Sequence, residues 1–312
     1  MPTPMAKRFN TDFYFVIVNY YSTPLIRALM GSIEALTDPG DYRVLVVNNS
    51  PGDTAVNPLA SDYQRLSVIE AQANLGFGHG CNLALRQVFQ TNPRAVVWLI
   101  NPDAVLRSNA LTYVRACLQA DPEIAILGTG IVDVHGQTWF RRGTFNPWLG
   151  YIGHTQIAPE MQAHDVRTAM LSVSSRWVSG CSLILNLVNF SDCPRFDPQF
   201  FLYYEDNELC ERAFQSGLKI RVTLEDLVIH DVSAIVRKDL GNKYKNTTFG
   251  RLLFLQKHGK LTGFWLNLAL IIVLSVIFLP TQPAVSWGRL RGVFQFLSRA
   301  VTGGVSKSRV KP

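Results

Sequence analysis

Two short stretches of this 312-residue chain hold residue types whose spacing could do chemistry. The first is Asn101-Pro102-Asp103, at the end of the apolar run VVWLI. Proline biases the residue before it toward extended backbone and fixes its own φ, so the direction of Asp103 is tightly defined. A lone carboxylate at the exit of a core strand suits a hard divalent cation that is also held by phosphates. The alternative is an Asn/Asp turn that merely ends a strand. The second stretch is Glu205-Asp206, after the aromatic run FFLYY. Two adjacent carboxylates disfavour double ionisation, so one can hold a raised pKa and act as a base. A helix start at this point would oppose that by favouring the anion, and helix capping is the plainer role. Glu208 and Arg212, four apart, read as an ordinary pair on a helix surface. His230 closes the apolar run LVIH; a packed imidazole with one hydrogen bond is the ordinary state of such a residue.

These residues need a scaffold to bring them together. The first half of the chain alternates strand and helix signals. FYFVIVNY is β-branched and aromatic, and Ser22-Thr23-Pro24 then starts a helix that should run to about Leu36. YRVLVVNNS, LSVIEA, AVVWLI and IAILGTGI read as further strands, with a helix capped by Ser108 running to about Ala120. From Val132 to Arg176 the pattern loosens and irregular loops are expected. RWVSGCSLILN returns to strand. A helix should follow from about Asp206 to Ser216, with Gly217 as its C-cap, and LVIHD closes the sheet. Strands separated by helices imply an α/β fold with a parallel sheet covered on both faces. Ligands bind such sheets beyond the carboxyl ends of the strands. Four polar clusters fall there: Asn19-Tyr20, Asn48-Asn49, Asn74 to Gly80, and Asn101-Pro102-Asp103. In NLGFGHGCN the glycines could let backbone N–H groups approach a phosphate or ribose at a helix N-terminus. The spacing and position are not those of a Rossmann fingerprint, and a glycine-rich turn with no ligand is the alternative. Five scattered cysteines without a Cys-x-x-Cys pair read as reduced thiols in or near the core.

Taken as a set, these segments resemble the family 2 glycosyltransferases with a GT-A-type fold, in particular the bacterial rhamnosyltransferase-like branch, over roughly Phe13 to Ser233. The resemblance implies roles. Asp103 would hold Mg²⁺ or Mn²⁺ on the donor pyrophosphate, behind a neutral first motif position, Asn101. His230 would touch the same metal or the diphosphate, oriented by Asp231 or Ser233. Asn19, Asn48, Asn101 and the loop residues Asn74, Gly76, Phe77, Gly80 and Asn82 would line the nucleotide-sugar donor. Asn48 stands where the family often has an acidic residue. Asp206 would deprotonate the acceptor hydroxyl, with Glu205 as its neighbour or substitute. Gly180 and Trp177 would flank the acceptor, a core role for Trp177 being equally open. The reaction implied is a single displacement with inversion at the anomeric carbon. The branch implies L-rhamnose from dTDP-rhamnose, with UDP-galactofuranose or a UDP-hexose as alternative donors. A non-catalytic sugar-nucleotide-binding membrane scaffold is a further alternative, which the neutral Asn48 and Asn101 would suit.

Charge divides the chain at about residue 240. From Gly241 to Pro312 there are 11 Lys and Arg and no Asp or Glu, whereas the first 240 residues hold 19 basic and 23 acidic side chains. A mildly acidic body argues against a nucleic-acid groove. Leu261 to Pro280 is uncharged and at the lower limit of length for crossing a bilayer. WGRLRGVFQFLSRAV alternates basic and apolar positions like an interfacial helix. The expected organisation is a GT-A-type domain over 1–240 and membrane-associating helices over 241–312. Three readings of the apolar run stay open: a shallow anchor, one crossing, or a buried helix. The partners expected are a nucleotide-sugar donor, a saccharide or polyprenyl-linked saccharide acceptor and an anionic membrane surface. The place expected is the cytoplasmic face of a bacterial inner membrane, peripheral or single-pass.

Overall fold

The structure, a computed structural model, describes residues 12–155, 171–231 and 239–302. The first half runs β1 (Phe13–Asn19), α1 (Thr23–Glu34), β2 (Arg43–Asn48), α2 (Leu59–Asp62), β3 (Leu66–Glu70), α3 (Phe77–Thr91), β4 (Val96–Ile100), β5 (Ala104–Leu106), α4 (Ala110–Ala120) and β6 (Ile124–Asp133). Strands β3, β2, β1 and β4 lie side by side and parallel, in that order. Every residue of β1 and β4 is buried, as expected for strands covered on both faces. Helix α4 starts at Ala110, after Asn109, and not at a Ser108 cap. The Ser108 carbonyl is instead committed to the N–H of Thr37, which ties the end of α1 to this turn.

The second half changes the sheet. Four short strands, β7 (Thr138–Phe140), β8 (Arg142–Asn146), β9 (Tyr151–Thr155) and β10 (Ser172–Ser174), occupy the stretch read as irregular loops. β7 adds to β6, β8 and β9 form a separate hairpin, and β10 borders the main sheet. Then come β11 (Ser182–Asn186), α5 (Glu205–Gln215) and β12 (Lys219–His230). β11 inserts between β4 and β6 and is antiparallel to both. β12 is parallel to β6, antiparallel to β10, and antiparallel to β5 near its end. The sheet is therefore mixed, though mainly parallel on the side that carries β1 to β4.

Three helices complete the described chain: α6 (Leu240–His258), α7 (Leu261–Ile277) and α8 (Pro283–Thr302). They have their own apolar cluster of Leu252, Leu253, Phe254, Leu255, Leu268, Val293 and Phe296. Phe200 belongs to it, and Phe145, Ile152 and Tyr204 pack against it. Among the described residues no helix is long and apolar enough to cross a membrane, so the single-crossing reading of Leu261 to Pro280 is dropped. The fully buried reading does not hold either, because Leu261, Trp265, Leu266, Leu270, Val273 and Ile277 are exposed. Glu208 also corrects its reading. It does pair with Arg212, but its side chain is 1% exposed, under α6, beside Lys257 and His258. Burial alone would raise its pKa; contacts with His258, Arg212 and Lys257 win and pull it down to about 2.

Candidate active site

The sheet brings the two chemical stretches to one place through a single turn. β11 is in register with β4 such that Ser182 faces Ile100. Cys181 therefore falls beside Asn101, and the Asn101 N–H donates to the Cys181 carbonyl at 3.0 Å. One residue back, the Gly180 N–H donates to Asp206 Oδ2 at 2.8 Å. The peptide Gly180–Cys181 thus straps the β4 exit to the start of α5. Asp103 and Asp206 both lie close enough to Cys181 to add to the effect of burial, which pushes its thiol well above the ordinary range. A side chain on residue 180 would crowd Phe77 and Asp206 at 3.2–3.4 Å, which explains a glycine here without any ligand.

Asp103 and His230 meet because β5 pairs with β12. The Asp231 N–H donates to the Asp103 carbonyl at 3.0 Å, and His230 faces Ala104. His230 Nε2 is 3.2 Å from Asp103 Oδ1, with both side chains buried. Trp139 stands edge-on to the imidazole at 4.5 Å between centroids. Asp103 Oδ1 and His230 Nδ1 are buried without an aligned hydrogen bond. The 3.2 Å separation fits a cation shared by Asp103 Oδ1 and His230 Nε2, its shell completed from phosphate or water. Among the described residues no cluster of three or more His, Cys, Asp or Glu could hold a metal without such help. Ser233, offered as a partner for His230, lies outside the described residues.

Glu205 and Asp206 are held differently from each other. Tyr203 and Tyr204, which precede them, have φ of 73° and 71°. Two consecutive non-glycine residues in the left-handed region store strain, of order 1–2 kcal/mol each. That turn buries Glu205 to 5% exposure and leaves Asp206 half-buried. Burial first, then the charge of Asp206, push the Glu205 carboxyl up to about 8. Burial also raises Asp206, but the N–H groups of Gly180 and Asn207, both at 2.8 Å, favour its anion. Glu205 Oε2 has no partner. Of the pair, Glu205 is pushed toward its protonated form with no partner for one oxygen, and Asp206 is the one whose anion two N–H groups favour.

The ends of β1 and β2 and the loop before α3 are built from amides. Asn19 is fully buried; its amide donates to Asn48, Ser50 and Asp53, and its oxygen accepts from Ser22. Asn48 donates to Glu70 at 2.9 Å. Asn49 receives the Leu75 N–H and donates to Asn74 and the Gly76 carbonyl, which fixes the loop before α3. Asn82 binds the N–H and carbonyl of Phe196. Asn19, Asn48 and Asn82, read as donor contacts, each spend their amides on neighbouring chain here. Asn74 is exposed and Asn101 half-buried. Gly76 has φ of 79°, and a Cβ there would lie 2.0 Å from the Phe201 carbonyl oxygen. Its need for glycine comes from chain against chain. Gly80 sits against Val18, and Phe77 against Phe196. Trp177 donates its indole N–H to the carbonyls of Thr144 and Gly153 and packs on Phe140, so it pins the β8–β9 hairpin. Reading by sequence missed Asp53 and Glu70. They return carboxylates to the strand end where Asn48 replaces one; the signal was an acid just after β2 and another closing β3.

The glycosyltransferase-like family 2 model matches residues 10–242, which span the strap, the asparagine network and both carboxylate stretches. The chain belongs to glycosyltransferase-like family 2. Two curated relatives agree. N-acetylglucosaminyl-diphospho-decaprenol L-rhamnosyltransferase of Mycobacterium tuberculosis is 22% identical over 80% of this chain and 85% of its own. Rhamnosyltransferase WbbL of Escherichia coli K12 is 22% identical over 70% of this chain and 82% of its own. Among solved structures, GalNAc-T7 with UDP, GalNAc and Mn²⁺ superposes with a TM-score of 0.58 at 14% identity, covering 78% of this chain. This chain spans 48% of that longer one, and the likeness establishes a GT-A-type fold. The family 2 glycosyltransferase therefore places Asp103 and Glu205-Asp206 around one strap in that fold.

Proposed function

We propose that this glycosyltransferase is an inverting rhamnosyltransferase that moves L-rhamnose from dTDP-rhamnose to a saccharide carried on a polyprenyl diphosphate. The likeness to two rhamnosyltransferases, one named for a diphospho-decaprenol substrate, supports the donor and acceptor classes. The observation that carries the chemistry is the split between the two carboxyls. Asp206 is half-buried and its anion is favoured by two N–H groups; Glu205 is buried beside it and pushed toward its protonated form. Asp206 takes the proton of the acceptor hydroxyl as that oxygen bonds to the anomeric carbon from the face opposite the diphosphate. The bond from the anomeric carbon to the diphosphate oxygen breaks, and the configuration inverts. Glu205, being neutral, does not repel the attacking oxygen. Asp103 and His230 would hold Mg²⁺ or Mn²⁺, which when bound supplies positive charge to the leaving diphosphate.

The outward face of α7 and the basic tail fit a peripheral position on an anionic membrane surface, on the side where nucleotide sugars are made. In this reading residues 1–240 carry the chemistry and 241–312 the attachment.

The test is a panel of dTDP-rhamnose, UDP-galactofuranose and UDP-hexoses with membrane-borne acceptor, with and without Mg²⁺ or Mn²⁺. The expected result is turnover of dTDP-rhamnose that needs added metal and is lost in Asp103→Ala. Preference for a UDP-sugar would overturn the donor assignment. Binding without turnover of any donor would point to the non-catalytic alternative.

A further inference from the structure

The helix that presents an apolar face outward is bolted, on its other face, to the turn that aims the base. Asn267 is on the inner face of α7 and 5% exposed. Its amide donates to the Leu149 and Gly263 carbonyls. Its oxygen accepts from Arg251 Nε at 3.0 Å and Nη2 at 2.6 Å. Arg251, on α6, also reaches the Gly150 carbonyl at 3.2 Å and the Tyr204 hydroxyl at 3.3 Å. All of these partners are neutral oxygens, so the guanidinium works here as a fixed fork of donors and not as half of an ion pair.

The contact falls on the strained residue next to Glu205. Tyr204 is the second of the two left-handed tyrosines. The first is seated by the neighbour of Arg251: a Cβ on Gly250 would lie 2.5 Å from the Tyr203 carbonyl oxygen. The Tyr204 ring also packs with Phe254, one helical turn along α6. Two adjacent residues that would each relax to a commoner conformation are thus held from outside their own segment. What they hold is the direction of Glu205 and the start of α5, and with it the reach of Asp206 to the Gly180 N–H.

We infer that Arg251 is a positioning residue for the catalytic base, and that α7 supports it through Asn267. The inference rests on the reading of Asp206 as the base. It makes the tail a working part of the active site as well as an attachment. A displacement of about 1 Å at a base is enough to cost up to about a hundredfold in rate. The donor cleft, at the far ends of β1 and β2, makes none of these contacts, so donor affinity should not change.

The experiment uses the full chain and the nucleotide sugar that the panel selects. Arg251→Ala, Arg251→Lys, Tyr204→Phe and Asp206→Asn are compared for kcat, for KM of the donor, for nucleoside diphosphate affinity and for melting temperature. Arg251→Ala should lower kcat about tenfold or more with donor KM and nucleotide affinity within about twofold of the parent, the signature of an interaction felt in the transition state. Arg251→Lys should recover part of the loss, since one ammonium can meet Asn267 or Tyr204 but not both. Tyr204→Phe removes only the hydroxyl, keeps the packing, and should lower kcat by a factor of about two to five, with melting unchanged. It decides the matter if Arg251→Ala does not fold. Unchanged kcat in Tyr204→Phe and Arg251→Lys, or losses in kcat and nucleotide affinity together, would overturn the inference. If Asp206→Asn itself turns over normally, the assignment of the base fails, and the inference with it.

Discussion

The amide-rich ends of β1 and β2 and the proposed catalytic corner around the strap are built on opposite principles. At the ends of β1 and β2, Asn19, Asn48 and Asn49 are buried and bonded on both amide ends. None of their side-chain atoms is an orphan. Around the strap, Asp103 Oδ1, Glu205 Oε2 and His230 Nδ1 are all buried without an aligned hydrogen bond, and two tyrosines carry left-handed backbone. Satisfied amides make a rigid, neutral shelf. Unsatisfied ionisable groups are costly in a resting protein and useful in a reacting one, because something else must complete them. The comparison teaches where the binding shape ends and the chemistry begins.

Breaking the catalytic corner should have the largest effect. Asp206→Asn keeps the size and one of the two N–H contacts but cannot take a proton. Its kcat should fall by about 10²–10⁴ while nucleotide affinity holds, measured by steady-state release of nucleoside diphosphate. On the shelf the pattern should reverse. Asn82→Ala leaves the Phe196 N–H and carbonyl without partners, and should cost about 1–3 kcal/mol in denaturant unfolding with little change in kcat per folded molecule. The smallest effect sharpens the contrast through pH. Glu205 binds its proton more tightly folded than unfolded, so its contribution to stability is complete below the ordinary carboxylate range. It should decline as pH rises through that range and be lost by about 8. Glu205→Gln should flatten that decline in melting curves. Glu208, held down to about 2, has the opposite sign: its contribution is present above the ordinary range and lost as pH falls toward 2.

The parallel half of the fold was open to reading because each strand is a continuous apolar run and each junction is marked by Pro, Gly or Asn. The antiparallel β11 was not. Nothing in SLILN tells its direction, which follows from a long excursion that enters the sheet from the other end. The hairpin β8–β9 hid for a different reason: its strands are five residues each, rich in Gly and aromatics, and show no clear alternation. In the site, Asp103, Glu205 and Asp206 stood out as carboxylates next to apolar runs. The asparagine network was not legible, because whether an amide faces a ligand or a neighbouring strand depends on pairings between residues 22 or more apart. Arg251 gave no signal at all. On a helix it looks like any other surface cation, and only Asn267 and Tyr204, 16 and 47 residues away, give it a task.

The two faces of α7 allow residence and folding to be altered separately. Phe145, Ile152 and Phe200 of the body pack into the same apolar seam as Leu252, Phe254 and Phe296 of the tail. A chain cut near residue 240 would leave that seam wet and prone to clumping. Polar replacements at Trp265, Leu270 and Val273 touch only the outer surface. On the proposed reading they would weaken attachment to a membrane while the seam stays shut.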